Sequence, residues 1–295
     1  MRRISFYSPS IGLTRLNDYF GKPRMTTTAP ELRQLALTAL ACTDPQQKTV
    51  QTAALQQHYL AGQLPVDPQA ELLLPASWVI PGRPAKPLLV PPLQVGRRTM
   101  RTPEGRAILL HALCHIEFNA INLALDAIWR FAAMPVAYYA DWLQVAAEEA
   151  LHFNLLCAHL LTLGYRYGDF PGHDTLWEMV AKTQEDVLAR MALVPRTMEA
   201  RGLDAAPSTR NKLTQVGDLA GAAIIERILN DEIGHVAIGN RWYGYLCQQR
   251  GLEPIATYAS LAQRYAAPRL RAPFNLEARR AAGFSEAELQ ALLMQ

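Results

Sequence analysis

The chain has 295 residues, half of them hydrophobic, with 29 Lys and Arg against 26 Asp and Glu. That composition allows a sizeable core, and a net charge of +3 argues neither for nor against nucleic acid. The four cysteines, Cys42, Cys114, Cys157 and Cys247, form no Cys-x-x-Cys pair, which argues against a rubredoxin-like, iron–sulfur or zinc-ribbon module and suits a reducing cytoplasm.

Residues 1–24 carry Arg2, Arg3, Arg15, Lys22 and Arg24 against one acid, Asp18. They lack the apolar core of a secretory signal and read as a disordered extension, with Met25 as an alternative start. Residues 25–100 divide in two. Two short helices are expected between 29 and 62, the first through Leu32, Leu35, Leu37 and Leu40, the second from Thr52 to Leu60. Residues 65–92 then hold eight prolines, a density that forbids regular helix. Leu72, Leu73, Leu74, Trp78, Val79, Ile80, Leu88, Leu89 and Val90 make the segment too apolar for a free linker, and predict an extended strap over the rest of the fold.

Residues 101–251 predict four long helices. The first starts at Thr102-Pro103, a capping Thr followed by Pro at the first helical position, and runs to about Ala133. The second runs from about Pro135 to Leu163 and stops at Gly164; the third spans about Asp174 to Gly202; the fourth begins after Pro207-Ser208 and ends at Gly251. Residues 252–295 form a tail broken by Pro268 and Pro273, closing with a short helix whose Ser285 and Glu288 make a capping box. The fold class is therefore all-α. Charged residues such as Glu117, Asp126 and Asp141 interrupt the apolar stretches, so no membrane span of roughly 20 residues is expected.

Two tetrads carry the chemistry. Glu149-Ala-Leu-His152 and Glu232-Ile-Gly-His235 are both Glu-x-x-His, and each follows a second acid, Glu148 or Asp231. Residues three apart share a helix face, so each tetrad aims a carboxylate and an imidazole the same way. Glu117 lies 32 residues before Glu149, and Glu199 lies 33 before Glu232. A spacing near 32 fits half a helix out, a turn and half a helix back. One tetrad alone is commonplace on solvated helices; two, at matched offsets from further acids, match the ligand set of a dinuclear four-helix bundle.

The apolar stripes agree. Glu149 and His152 align with Trp142, Val145 and Leu156; Glu232 and His235 align with Ile225, Ile228 and Trp242; Glu117 aligns with Leu110, Leu113, Ile121 and Ala124. Converging buried carboxylates are too costly without cations, and two divalent ions would neutralise four of them. The third helix leaves a choice: Glu185 is nearer mid-helix on about the same face, whereas the 33-residue interval favours Glu199, just after Pro195. Glu148, Asp231 and His159 are expected around the metal ligands, with Asp231 placed to reach the histidine of the opposite tetrad. His115 and His111 point off the face, and His58 and His173 read as loop or surface residues.

The segments Arg101-Thr-Pro-Glu-Gly-Arg106, His115-Ile-Glu-Phe-Asn-Ala120, Glu199-Ala-Arg-Gly-Leu-Asp204, Asp231-Glu-Ile-Gly-His235 and Pro273-Phe-Asn-Leu-Glu-Ala-Arg279 resemble the ferritin-like superfamily of carboxylate-bridged di-iron proteins, and within it a bacterial family of unknown function. Glu199-Ala-Arg201 is also similar to the third-helix ligand motif of the superfamily's tRNA hydroxylases, which supports Glu199 over Glu185. The resemblance covers roughly residues 26–295. It implies a ferritin-like four-helix bundle holding two iron ions, or manganese, on Glu117, Glu149, His152, Glu199, Glu232 and His235.

Two functions follow as expectations. One is an O2-dependent oxidoreductase, a hydroxylase or oxidase served by an external electron donor, acting on a small molecule or a modified nucleoside. The other is ferritin- or rubrerythrin-like iron oxidation, storage or peroxide removal. A metal-free interaction bundle is disfavoured by the buried acids. A cytoplasmic protein away from the membrane, compatible with a homodimer, completes the expectation.

Overall fold

A computed structural model describes Tyr19, residues 30–96 and residues 99–294. The expected extension at 1–24 and the Met25 start lie outside the described residues, Tyr19 excepted; its carbonyl accepts from Gln51 Nε2 at 3.0 Å. The described residues form helices and turns, with a single isolated β-bridge between Leu89 and Gly172.

Helix α1 (Leu32–Ala41) starts where the Glu31 carboxylate accepts from the backbone of Arg33 and Gln34. Helix α2 (Pro45–Leu60) starts at Asp44, which caps Gln47 N–H, with Pro45 in the first turn. Thr102 caps α3 (Pro103–Arg130) through Gly105 N–H at 3.0 Å. After a short turn comes α4 (Val136–Thr162), ended by Gly164 at φ +85°. Helices α3 and α4 pack along one another as a hairpin, with α1 laid on α3 and α2 on α4.

The third rod departs from expectation. It breaks into α5 (Thr175–Lys182), α6 (Val187–Leu193), a π turn (Val194–Glu199) and α7 (Ala200–Gln215). Arg190 explains the first break. Its buried guanidinium reaches Val180 carbonyl at 2.7 Å, Thr183 Oγ1 at 2.9 Å and the buried Asp126 of α3 at 2.5 Å, pinning the α5–α6 turn. Pro195 explains the π turn: it cannot donate to the carbonyl four residues back and its ring crowds it. The backbone widens so that Ala200 N–H bonds Pro195 carbonyl, and the Thr197 hydroxyl takes Ala192 carbonyl at 2.9 Å. Helix then continues through Gly202 and Pro207, both expected to lie in a connection. Gly202 is exposed, with open space where a Cβ would stand, and its helix penalty is only about 1 kcal/mol. Packing of α7 on α8 (Leu219–Gln249) supplies the compensation, and α8 starts at the Asp218 cap rather than after Ser208.

The strap is present, but of the apolar side chains expected to hold it only Leu72 and Ile80 pack against the core. Leu73, Val79 and Leu88 are exposed. Backbone bonds tie it down instead: Leu32 N–H to Pro65 carbonyl, Ala133 N–H to Pro68 carbonyl, Gly82 N–H to Leu40 carbonyl, and Val90 and Gly172 around the bridge. Buried cations do the rest. Arg33 donates to the carbonyls of Asp67, Pro68 and Ala70 and to Trp129 at the end of α3. Lys48 Nζ donates to Leu40 and Gly82 carbonyls and to Asn122 Oδ1. Beyond α8 lie α9 (Pro254–Arg264), α10 (Leu276–Ala281) and α11 (Glu286–Leu293), the last opened by the Ser285–Glu288 capping box. Helix α3 is long and apolar enough to cross a bilayer, unlike the expectation, yet most of that stretch is buried in the bundle core.

Candidate metal centre

Three helices converge on one buried point: α3 brings Glu117, α4 brings Glu149 and His152, and α8 brings Glu232 and His235; Glu199, on the π turn, is buried close enough to feel Glu232 and Glu149. Glu149 and His152 are fully buried, and the other four are at most 8% exposed. Ligand atoms of Glu117, Glu149, His152 and Glu232 all lie within 4.8 Å of one another. Glu149 sits between the two imidazoles, its Oε2 at 3.3 Å from His152 Nδ1 and its Oε1 at 3.0 Å from His235 Nδ1. His152 Nδ1 is also 3.6 Å from Glu117, and His235 Nδ1 is 3.6 Å from Glu232. Glu185 is exposed in the α5–α6 turn and takes no part.

The far nitrogens are bound crosswise. His152 Nε2 bonds Asp231 Oδ2 at 3.0 Å, and His235 Nε2 bonds Glu148 Oε2 at 2.7 Å. The acid preceding each tetrad therefore holds the histidine of the other, leaving both Nδ1 atoms facing the centre. Two further residues, which the sequence reading missed, brace those acids: Arg227 Nε donates to Asp231 at 2.5 Å and Gln144 Nε2 to Glu148 at 3.1 Å. Their signal is the i,i+4 spacing to the acid each serves. His159 does not join the centre; its Nε2 bonds Asp218, the cap of α8, at 3.0 Å. His115 faces away, towards Tyr167 and the His173 carbonyl, as its position on the helix predicts. His58, expected in a loop or at the surface, is buried in α2 with Nδ1 at 2.7 Å from Gln63 Oε1.

The electrostatics are those of too many acids in one dry place. Burial, then repulsion from Glu149, pushes the Glu117 carboxyl well above the usual carboxylate range. Burial with Glu232 and Glu149 does the same to Glu199, and burial with Glu149 raises Glu232. Glu149 goes the other way: burial opposes its charge, but His235 and His152 beside it hold it well below the usual range. Burial also opposes charge on His152, but hydrogen bonds to Glu117 and Glu149 carry it up to about 11. His235 is likewise raised, against burial, by Glu149 and Glu148.

Even this arrangement leaves atoms without partners. Glu117 Oε2, both oxygens of Glu199 and Glu232 Oε2 are buried and accept no hydrogen bond. Buried polar atoms seldom go unsatisfied, and a buried cluster of this kind could hold a metal ion. Carboxylate oxygens with imidazole nitrogens, oriented from behind by other carboxylates, suit iron, manganese or zinc-class divalent ions.

Comparison with known proteins fits this frame without adding an activity. A family model described as "Protein of unknown function (DUF455)" matches residues 41–290. The chain belongs to this family. It is also 43% identical over 279 residues to an uncharacterised protein of Haemophilus influenzae, covering 90% of this chain and 94% of that one. No solved structure matches. The family match takes in all six centre residues, both crosswise acids and the helices that carry them.

Proposed function

We propose that this member of the family is a dinuclear-metal oxidoreductase, with two ferrous ions held by Glu117, Glu149, His152, Glu199, Glu232 and His235. The observation that carries the reading is the set of buried carboxylate and imidazole groups, four of whose oxygens have no hydrogen-bond partner. When bound, two ferrous ions would supply the electrons for O2 reduction, and manganese fits the same donors. Glu149, between both imidazoles, would be one of the residues that hold the ions. Glu148 and Asp231 fix the imidazoles with Nδ1 inward and Nε2 outward, which sets the tautomer a ligand needs. The apolar residues around the six keep water out, so charge changes at the centre are felt strongly. An external electron donor and a small-molecule or nucleoside substrate belong to the same proposal, which extends the ferritin-like resemblance of the sequence.

The test is metal analysis of protein purified without chelators, beside a Glu149→Ala, Glu232→Ala variant, followed by O2 uptake after anaerobic Fe(II) loading. Two metals per chain, lost in the variant, with O2 consumed by a small oligomer, support the proposal. Retention of two metals by the variant overturns the site. Cage assembly with O2 uptake scaling with hundreds of irons per particle would move the reading to storage.

A further inference from the structure

Two segments singled out in the sequence, 199–204 and 273–279, meet beside the π turn. Asn275 N–H donates to Asp204 Oδ1 at 2.9 Å, and its side chain donates to the Leu203 carbonyl at 3.2 Å. Arg279, 1% exposed, grips Asp204 twice, Nε to Oδ1 at 3.0 Å and Nη2 to Oδ2 at 2.6 Å. The same Nη2 reaches the Ala200 carbonyl at 3.3 Å. A two-pronged bond of this kind fixes orientation as well as distance. Ala200 and Leu203 of α7 also join Val236 of α8 and Ala278 and Ala282 of the tail in a small core separate from the main one. Ala200 follows Glu199 in the chain and Val236 follows His235. The tail therefore packs one residue away from a centre residue on each of two rods.

A second line of bonds closes the ring. Arg196 of the π turn donates from Nε to Asn240 Oδ1 of α8, and Asn240 Nδ2 donates to the Ala282 carbonyl at 2.7 Å. Arg196 also pairs with Glu288 of α11. Glu199 explains why such a brace is needed. Its oxygens are buried without partners, close to Glu232 and Glu149, so the carboxyl would gain free energy by swinging towards water. The backbone that carries it is a π turn, a rare conformation, with a proline that lacks a donor. Local structure opposes that swing weakly. The fixed points on either side of Glu199 are Arg196 and Ala200, and the tail bonds both.

We propose that Arg279 is a positioning residue for Glu199: with Asn240 it locks the tail to α7 and the π turn, and so keeps the Glu199 carboxylate beside Glu232 and Glu149. What Glu199 does there rests on the dinuclear reading; its being braced from the tail does not.

The test is a pair of double-mutant cycles on the full chain. The first reads Fe(II) affinity under anaerobic conditions, by competition with a chromogenic chelator. Arg279→Gln should weaken one ion at least about tenfold, the size expected of a group that orients a ligand, and leave the other within about twofold. Glu199→Gln should weaken the same ion, and the double variant should lose nothing further. The second cycle reads Tm in chelator. Glu199→Met should raise Tm in the parent and raise it less in Arg279→Gln, where the released carboxyl has already left its neighbours. If Arg279→Gln does not fold, Asn240→Ala, which cuts the ring without breaking an ion pair, replaces it in both cycles. Losses that multiply in the double variant, equal weakening of both ions, or parental affinity for both would each overturn the proposal. A parent that binds no Fe(II) would overturn the dinuclear reading instead. The chelator cycle then decides alone, and an equal Tm change from Glu199→Met in both backgrounds would overturn the brace.

Discussion

Glu199→Met should move stability in opposite directions with and without metal. Glu199 is buried, both its oxygens lack partners, and it faces Glu232 and Glu149 with no cation of its own beyond the influence of His235. In the metal-free protein that carboxyl is a liability of about 1–3 kcal/mol. Methionine fills similar volume without polar atoms, so the metal-free variant should be more stable by that amount. At about 2–4 °C per kcal/mol for chains of this size class, Tm rises by roughly 2–12 °C in chelator. With Fe(II) or Mn(II) present the order reverses, because a lost ligand lowers affinity and the metal stabilises the fold only as far as it binds. Stoichiometry should fall from two metals to one or fewer. Glu199→Gln, which keeps the polar atoms, should be near neutral without metal. Paired melts by circular dichroism, in chelator and in excess metal under anaerobic conditions, give both signs. A metal-free Glu199→Met less stable than the parent, or one retaining both metals, would show that Glu199 is a structural acid.

The centre's contribution to the stability of the metal-free protein should also fall as pH rises above the unfolded carboxylate range, near 4.5. Glu117, Glu199 and Glu232, raised by burial, and His152, carried to about 11 by its acids, all bind protons more tightly folded than unfolded. Glu149 and Asp231 pull the other way as pH falls through their lowered values, His111 and His115, lowered to about 4, pull stability up until about pH 6.5, and Lys48, lowered to about 7, pulls it up above pH 7; the centre's share is therefore read against Glu199→Met in chelator, and an advantage of that variant that does not grow with pH would contradict it. Asp231→Asn or Glu148→Gln should weaken metal binding about 10–100-fold while leaving all six ligands in place, measured by competition with a chromogenic chelator. In Gly239→Ala the new Cβ would meet Pro195 Cβ at 2.5 Å. Overpacking there should cost about 1–3 kcal/mol and shift the π turn, read as lower Tm together with weakened metal retention. Asp126→Asn should cost about 3–5 kcal/mol by stranding Arg190 and Arg130, with metal content per folded chain unchanged.

The helices that carry the tetrads were legible because their signals are local. Caps at Thr102 and Ser285, the stop at Gly164, and acids sitting inside apolar stripes can be read from neighbours in the chain. Spacing to the tetrads led to Glu117, which lies among their ligand atoms, and to Glu199, which is buried nearby, and the angle of Asp231 on its helix led to its crosswise bond. The third rod was not legible, because its breaks are set by partners far away. Nothing near Thr183 announces that Arg190 will reach across to Asp126, 64 residues earlier. The strap misled for a related reason. Its apolar run looked like the adhesive, whereas beyond Leu72 and Ile80 the attachment comes from carbonyls gathered by Arg33 and Lys48, whose burial no local pattern announces.

The exchange of acids between the two tetrads works as a vernier. Sliding α8 along α4 by one residue, about 1.5 Å, would pull Asp231 from His152 and Glu148 from His235 together, since each helix contributes one donor and one acceptor to the exchange. Neither tetrad can therefore be tuned alone. A substitution that shifts one histidine drags its twin, so variants that restore function should arise as changes on both helices, one on each side of the exchange.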